Sequence, residues 1–360
     1  MTRSLSVYLD LVRFIAAAAV LLAHLSVKPF SDGPINWYFG AFGDVAVAVF
    51  FVLSGYVIAH VVSTRERDWR SYAASRFSRI YSVALIAAAV TLALDALGAS
   101  LAPDFYSSRQ VLWQAPSLRG YAPSMLMVNE WHVFNFGGIA PGSNGPWWSL
   151  SFEATYYLLA GLVLFAPVAI SLPLAIVISM MAGTTITLLM PLWWGGFGLY
   201  ALCRALPRRP RLGLLLWCAG GALLAIYPYI AWRLPDLPLQ LEFGRGNFHR
   251  PVVKDYFAAA SFAVSLLGAK MFLTGAGKVP ALLERLARWL GGLTFPLYLL
   301  HYPMLCFLVA VSPLEKTGIA HALVVAILAF AAVAALTPAC ERLKRALRSL
   351  ARAHGLTAPA

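Results

Sequence analysis

Apolar residues in this chain come in long blocks rather than in the alternating spacing of half-buried strands. A helix needs about 20 apolar residues to cross a bilayer, and blocks near that length recur from one end to the other. Ten helices are predicted, at about 7–27, 41–62, 80–98, 146–166, 168–189, 191–206, 212–231, 252–274, 289–311 and 319–338. The stretch 111–134 is apolar enough for a short helix. Its Pro116, Pro123, Arg119, Glu130 and His132 predict an interfacial or re-entrant segment instead of a crossing. "PALLERLARWL" (280–290) puts Leu283, Leu286 and Leu290 on one face, which predicts a separate amphipathic helix at the membrane surface. No internal repeat or low-complexity segment interrupts the series.

Composition agrees with the blocks. The 360 residues are 60% hydrophobic and 12% charged, with mean hydropathy +0.73. A soluble domain of this size cannot hide so much apolar surface. The expected fold class is all-α, a polytopic helical bundle in a lipid bilayer. One integral domain covers 1–340 and a basic tail covers 341–360. The net charge of +13 would suggest nucleic acid in a soluble protein. Here its distribution matters more, and no nucleic-acid partner is expected. With both termini inside, the cytoplasmic segments collect most of the Lys and Arg. Arg65, Arg67 and Arg70 precede the third block, Arg204 to Arg211 follow the sixth, and Lys270 to Arg288 flank the amphipathic segment. The outside segments hold fewer, among them Lys28, Arg109, Arg119, Arg245, Arg250 and Lys316. That bias is the one cytoplasmic loops show. Cys203, Cys218, Cys306 and Cys340 have no CxxC or metal spacing, so neither a disulfide framework nor a metal site is expected. The first block carries Asp10, Arg13 and His24 and lacks a signal-peptide cleavage site, so it reads as a retained helix.

The informative residues are polar ones inside apolar blocks. A carboxylate at the bilayer centre costs about 2.5–3.5 kcal/mol on insertion scales unless it faces protein or water. His24 ends the first block in the outer half, as a general base or as a hydrogen-bonded helix end. Arg13, three turns earlier, shares its stripe about 16 Å away, with Asp10 one turn below to neutralise it. Asp44 opens the second block at the depth of His24, to orient the imidazole or to cap a helix. Arg76 and Arg79 share a face at the entry to the third block, as a phosphate clamp or as ordinary inner-face anchors. Glu153 falls early in the fourth block, one turn after Ser149, with Trp147 and Trp148 suited to an aromatic belt. His301 lies between Pro296 and Pro303 with Tyr298 one turn away, where both can satisfy carbonyls that the prolines free. Trp148, Ser149, Tyr298 and His301 are the candidates for substrate contact.

Five segments together resemble the acyltransferase-3 family of integral membrane acyltransferases. They are "RFIAAAAVLLAH", "FFVLSGYVIA", "RFSRIYS", "WSLSFEATYYL" and "LTFPLYLLHYPM", in this order and over nearly the whole chain. The resemblance implies transfer of an acyl group, commonly acetyl, from cytoplasmic acyl-CoA to a hydroxyl on an outward-facing glycan or, in some members, a small molecule. It implies a catalytic His24, an acyl-CoA role for Arg76 and Arg79, and functional positions at Arg13 and Glu153. Two positions depart from the family pattern. Ala48 stands where an acidic residue is usual, with Asp44 one turn earlier, and Ser82 stands where a proline often follows "RIY".

The resulting expectation is a stand-alone, multi-pass O-acetyltransferase of the bacterial inner membrane. Acyl-CoA is its cosubstrate, a glycan hydroxyl is its acceptor, no metal takes part, and a homodimer is left open. His24, Glu153 and Asp44 form the catalytic group, with Glu153 orienting His24 or binding the acceptor. Arg13, Arg76 and Arg79 hold the donor. The rival reading is a transporter or flippase for a glycan or lipid-linked intermediate, whose path the same charges would line. A membrane glycosyltransferase ranks third, because the longest outer loop holds only Asp104 and Glu130 as acids.

Overall fold

The computed structural model describes residues 1–31, 39–108, 117–134, 140–234, 252–275, 277 and 279–356, with the backbone of 242–243 and 248–249. Arg109, residues 111–116, Arg245, Arg250 and Lys278, which entered the sequence reading, lie outside them. The architecture is a helical bundle. Its long helices are α1 (Arg3–Leu25), α2 (Phe42–Thr64), α3 (Trp69–Leu101), α4 (Trp148–Phe165), α5 (Val168–Ala182), α6 (Thr184–Ala205), α7 (Pro210–Ala225), α8 (Val252–Leu273), α9 (Ala281–Val311) and α10 (Ile319–Ala353). A two-residue antiparallel pair, Glu242–Phe243 with Phe248–His249, is the sheet structure among the described residues.

Each predicted block has its helix. Eight are long and apolar enough to cross a bilayer alone. A ninth span forms if α7 is joined to its continuation through Arg233, across a 59° bend. Helix α5 has 15 residues, about 22 Å of rise against a hydrocarbon core of about 30 Å. The predicted 168–189 helix stops early because Gly183 takes φ +94°, and α6 starts at once. Between α3 and α4, Leu118–Met125 is too short to cross, in keeping with the expected interfacial segment.

Three boundaries differ in ways that matter for the site. Helix α3 starts at Trp69, not near 80, because the Asp68 carboxylate caps it, accepting from the Ser71 N–H at 2.9 Å. Arg76 and Arg79 are therefore interior helical residues. The amphipathic 280–290 segment is not separate. It is the first part of α9, bound to α1 through Glu284–Arg3 and Arg288–Asp10 ion pairs. The basic tail is also helix: α10 runs on to Ala353, and Arg348 Nε donates to Ser78 Oγ at 3.4 Å.

These contacts gather the start of α1, α3 and α9 and the end of α10 on one face. The ends of α6 and α8 meet through Lys270 Nζ donating to the Leu206 carbonyl at 3.0 Å. On the opposite face, His321 joins the start of α10 to the Phe30 carbonyl at 3.2 Å, and Ser31 donates to the Lys316 carbonyl. Helices α2 and α9 lie deepest, each with about two thirds or more of its apolar window buried. Helix α2 crosses α6 at close range. A Cβ on Gly55 would fall 1.9 Å from the Trp193 carbonyl oxygen, and one on Gly196 would fall 2.0 Å from that of Val52.

Candidate active site

At the end of the bundle away from the basic face, α1 and α9 bring two imidazoles together. His24 Nδ1 and His301 Nε2 are 2.9 Å apart, and the rings stack at 5.0 Å. The network assigns the protons. His301 Nδ1 lies 3.0 Å from the Leu297 carbonyl, which can only accept, so Nδ1 donates and Nε2 accepts. His24 Nδ1 is then the donor, and the lone pair of the neutral His24 ring is on Nε2. His301 is fully buried, whereas His24 keeps partial exposure. The sequence reading gave His24's orienting contact to Asp44 or Glu153. His24 Nδ1 is bonded to His301 instead. Asp44 stands in the first turn of α2.

One turn along α9 from His301, Tyr298 donates to Ser149 Oγ at 2.8 Å, and Ser149 donates to the Pro146 carbonyl at 3.2 Å. Ser149 and Tyr298 are thus brought together as a pair. Glu153 lies one turn further along α4 and lines the same small cavity as Ser149 and Tyr298. Its Oε1 accepts from Ser54 at 3.2 Å and from Tyr157, and lies 3.7 Å from Arg79 Nη2. Trp193 donates to the same Ser54 hydroxyl at 3.1 Å, which the α2–α6 approach makes possible. Of the two roles expected for Glu153, orienting His24 finds no contact in these bonds: its partners are two hydroxyls and the Arg79 guanidinium. Trp147 also departs from expectation. It is fully buried, its indole N–H donating to the Ser124 carbonyl at 3.0 Å, so it anchors the core and not a belt. Trp148 packs edge-on against Phe152 at 5.0 Å.

Two cavities flank this network. A small one of about 70 Å³ is lined by Arg13, Ser54, Arg79, Ser149, Glu153 and Tyr298, with Phe50 and Phe51 on its apolar side. A larger one of about 410 Å³ opens on the basic face, where Arg65, Arg76, Lys344 and Arg348 join Arg13 and Arg79 against Glu66 and Glu341. Arg13, Arg79, Thr294 and Phe295 line both. Arg13 is 3.5 Å from Asp10, whose other oxygen pairs with Arg288, so Asp10 only partly neutralises it. Arg76 and Arg79 line the larger cavity together but hold different acids. Arg76 is buried against Glu66 and stacked over Tyr72, while Arg79 points to Glu153.

Several polar residues of the site escaped the sequence reading. Glu66 sits among surface charges, and nothing in "STRERDWR" separates it from them. Ser54 is one hydroxyl in "FFVLSGY". Asp95 carried the same signal as Glu153, an acid inside an apolar block. It is fully buried and accepts from both the N–H and the hydroxyl of Ser143 at 2.7 Å. Among the described residues no group of three or more His, Cys, Asp or Glu is placed to hold a metal ion.

Comparison with known proteins gives a concordant picture. The acyltransferase-3 family model, an acyltransferase domain, matches residues 6–338. The acyltransferase MdmB of Streptomyces mycarofaciens is 29% identical over 245 residues, 63% of this chain and 49% of that protein. The chain thus spans about half the length of this curated relative. No solved structure matches.

Proposed function

This chain belongs to the acyltransferase-3 family, and from that premise we propose that it carries an acyl group, most simply acetyl, from cytoplasmic acyl-CoA to a hydroxyl of an extracytoplasmic glycan at the bacterial inner membrane. The observation that carries the reading is the shared wall of the two cavities. Arg13, Arg79, Thr294 and Phe295 connect the basic cavity to the pocket of Ser149 and Tyr298, one helical turn from His301. The basic face is the cytoplasmic one by its charge.

The diphosphate and 3′-phosphate of the donor meet Arg65, Lys344 and Arg348 at the mouth of the larger cavity, with Arg79 deeper. Arg76, already paired with Glu66, contributes shape more than charge. The thioester arm extends past Thr294 and Phe295 toward the histidines. His24 Nε2 takes the proton of the acceptor hydroxyl as its oxygen attacks the thioester carbonyl. The C–S bond breaks, an ester C–O bond forms, and the departing thiolate recovers the proton from His24. His301, accepting from Nδ1, holds the ring in the tautomer that this step requires.

The test is transfer of label from radiolabelled acetyl-CoA by the purified protein, paired with glycan analysis of a deletion strain for a lost ester. Full activity of His24→Ala would overturn the assignment of the base. Movement of a glycan intermediate without consumption of acyl-CoA would favour a transporter.

A further inference from the structure

Helix α9 has a gap in its backbone ladder beside the histidine pair. In an α-helix the carbonyl of residue 299 accepts from the N–H of residue 303, and residue 303 is proline, which has none. The buried Leu299 carbonyl cannot be left unpaired cheaply. Its partner comes from outside the helix: Asn144 Nδ2 donates to it at 2.9 Å. The same nitrogen donates to Thr91 Oγ1 of α3 at 3.2 Å. A carbonyl can only accept, so this contact fixes which way the Asn144 amide faces.

Asn144 is itself held through the two residues that precede it. The preceding residue, Ser143, gives both its N–H and its hydroxyl to the buried Asp95 carboxylate. Gly142 crosses Asp95 with φ +59°, where a Cβ would fall 2.1 Å from Asp95 Oδ2. Only glycine fits that crossing. The turn 142–144 is therefore pinned to α3 and plugs the one carbonyl that Pro303 leaves open, two residues before His301.

We propose that Asp95, Ser143 and Asn144 form a positioning strap that sets the local pitch of α9, so that His301 Nε2 meets His24 Nδ1. Asn144 is a positioning residue: it acts through His301 and touches no reacting atom. Pro303 makes the strap necessary, and Asn144 makes Pro303 tolerable. The kinetic part of the test rests on the acyltransferase reading, and the spectroscopic part does not.

The experiment is a double-mutant cycle between Asn144 and Pro303. Asn144→Ala is expected to lower kcat about 10- to 100-fold with KM for acetyl-CoA little changed. Pro303→Ala restores the missing N–H, so Asn144→Ala/Pro303→Ala is expected to return to within about threefold of Pro303→Ala alone. In parallel, the ring ¹⁵N signals of His24 and His301, assigned with the two His→Ala variants, report the tautomers. Wild-type protein should show protonated Nδ1 on both rings. Asn144→Ala should lose that pattern and the double variant should regain it, whether or not the protein transfers acyl groups. If Asn144→Ala is not monodisperse, Asn144→Asp, which keeps the shape and removes the donor, takes its place. Unchanged kcat and unchanged tautomers in the Asn144 variant overturn the proposal. So does a loss that Pro303→Ala fails to recover, or one seen only in melting temperature. Intact tautomer coupling with no acyl transfer by the wild type overturns the function instead.

Discussion

His24 and His301 share one proton bridge, 2.9 Å long, between the last turn of α1 and the interior of α9. The residue expected to satisfy a freed carbonyl or to contact substrate is the one that fixes the tautomer of the residue given the catalytic role. His301→Ala should lower kcat about 100-fold, the low end of what a positioned base contributes, with KM for the donor within about twofold of wild type. His301→Gln offers a side-chain oxygen near the same place and should recover part of the rate. Steady-state kinetics on purified protein separates these outcomes. Equal loss in both variants would assign His301 a role beyond accepting from Nδ1.

Glu153 provides a different kind of test, because its partners are basic. Glu153→Gln leaves Arg79 without its carboxylate in a small cavity that Arg13 also lines. An unpaired charge in a partly buried site destabilises more than the pair stabilises. Glu153→Gln should therefore melt lower in detergent than Glu153→Gln/Arg79→Met, although the second variant carries two changes. If the double variant is at least as destabilised as the sum of the singles, the pairing with Arg79 is not what Glu153 supplies.

Much of this arrangement was legible in the sequence. Long apolar blocks predicted every long helix, because crossing a bilayer demands a long apolar run, although the break at Gly183 between α5 and α6 was not visible in that pattern. Depth was legible as well: helix direction placed His24 at the end away from the Arg76 and Arg79 face. Partners were not. Glu153 was expected to orient His24 or bind the acceptor, yet the α2–α6 crossing puts Ser54, itself held by Trp193, beside it and its carboxylate pairs with Arg79. Arg76 and Arg79 are three residues apart on one helix, but their long side chains diverge to acids on different elements. The proline of α9 was a visible signal, and it pointed to freed carbonyls. It could not say that the donor would arrive from a loop 155 residues away.

The α2–α6 crossing has its own consequence. Gly55 and Gly196 let two backbones approach so closely that Trp193 reaches Ser54. Gly55→Ala adds one methyl where the nearest atom is a backbone carbonyl oxygen, which cannot rotate away. Overpacking of this kind costs about 1–3 kcal/mol, read as a lower melting temperature in detergent. Gly221, with open space around its Cβ position, should accept alanine with little change, since the space, and not the residue type, sets the cost.

The basic end of α10 carries the sharpest prediction about the donor. A loose cytoplasmic tail would attract any polyanion weakly and with little dependence on position. Here Lys344 and Arg348 are helical, one turn apart, and line the same cavity as Arg65 and Arg79. Lys344 is paired with Glu341 at 2.9 Å, so its reversal also creates an acidic cluster. Lys344→Glu/Arg348→Glu should raise KM for acetyl-CoA about tenfold or more, equivalent to about 1.4 kcal/mol, with kcat changed far less because the histidine pair is remote. Arg352→Glu lies on the same helix without lining the cavity and serves as the control for net charge. The effect should shrink as salt is raised, since partly exposed charges are screened over about 8–10 Å near physiological ionic strength. Equal effects from Arg352→Glu and from the double reversal would mean that α10 supplies a diffuse field, and that the donor phosphates bind elsewhere on the basic face.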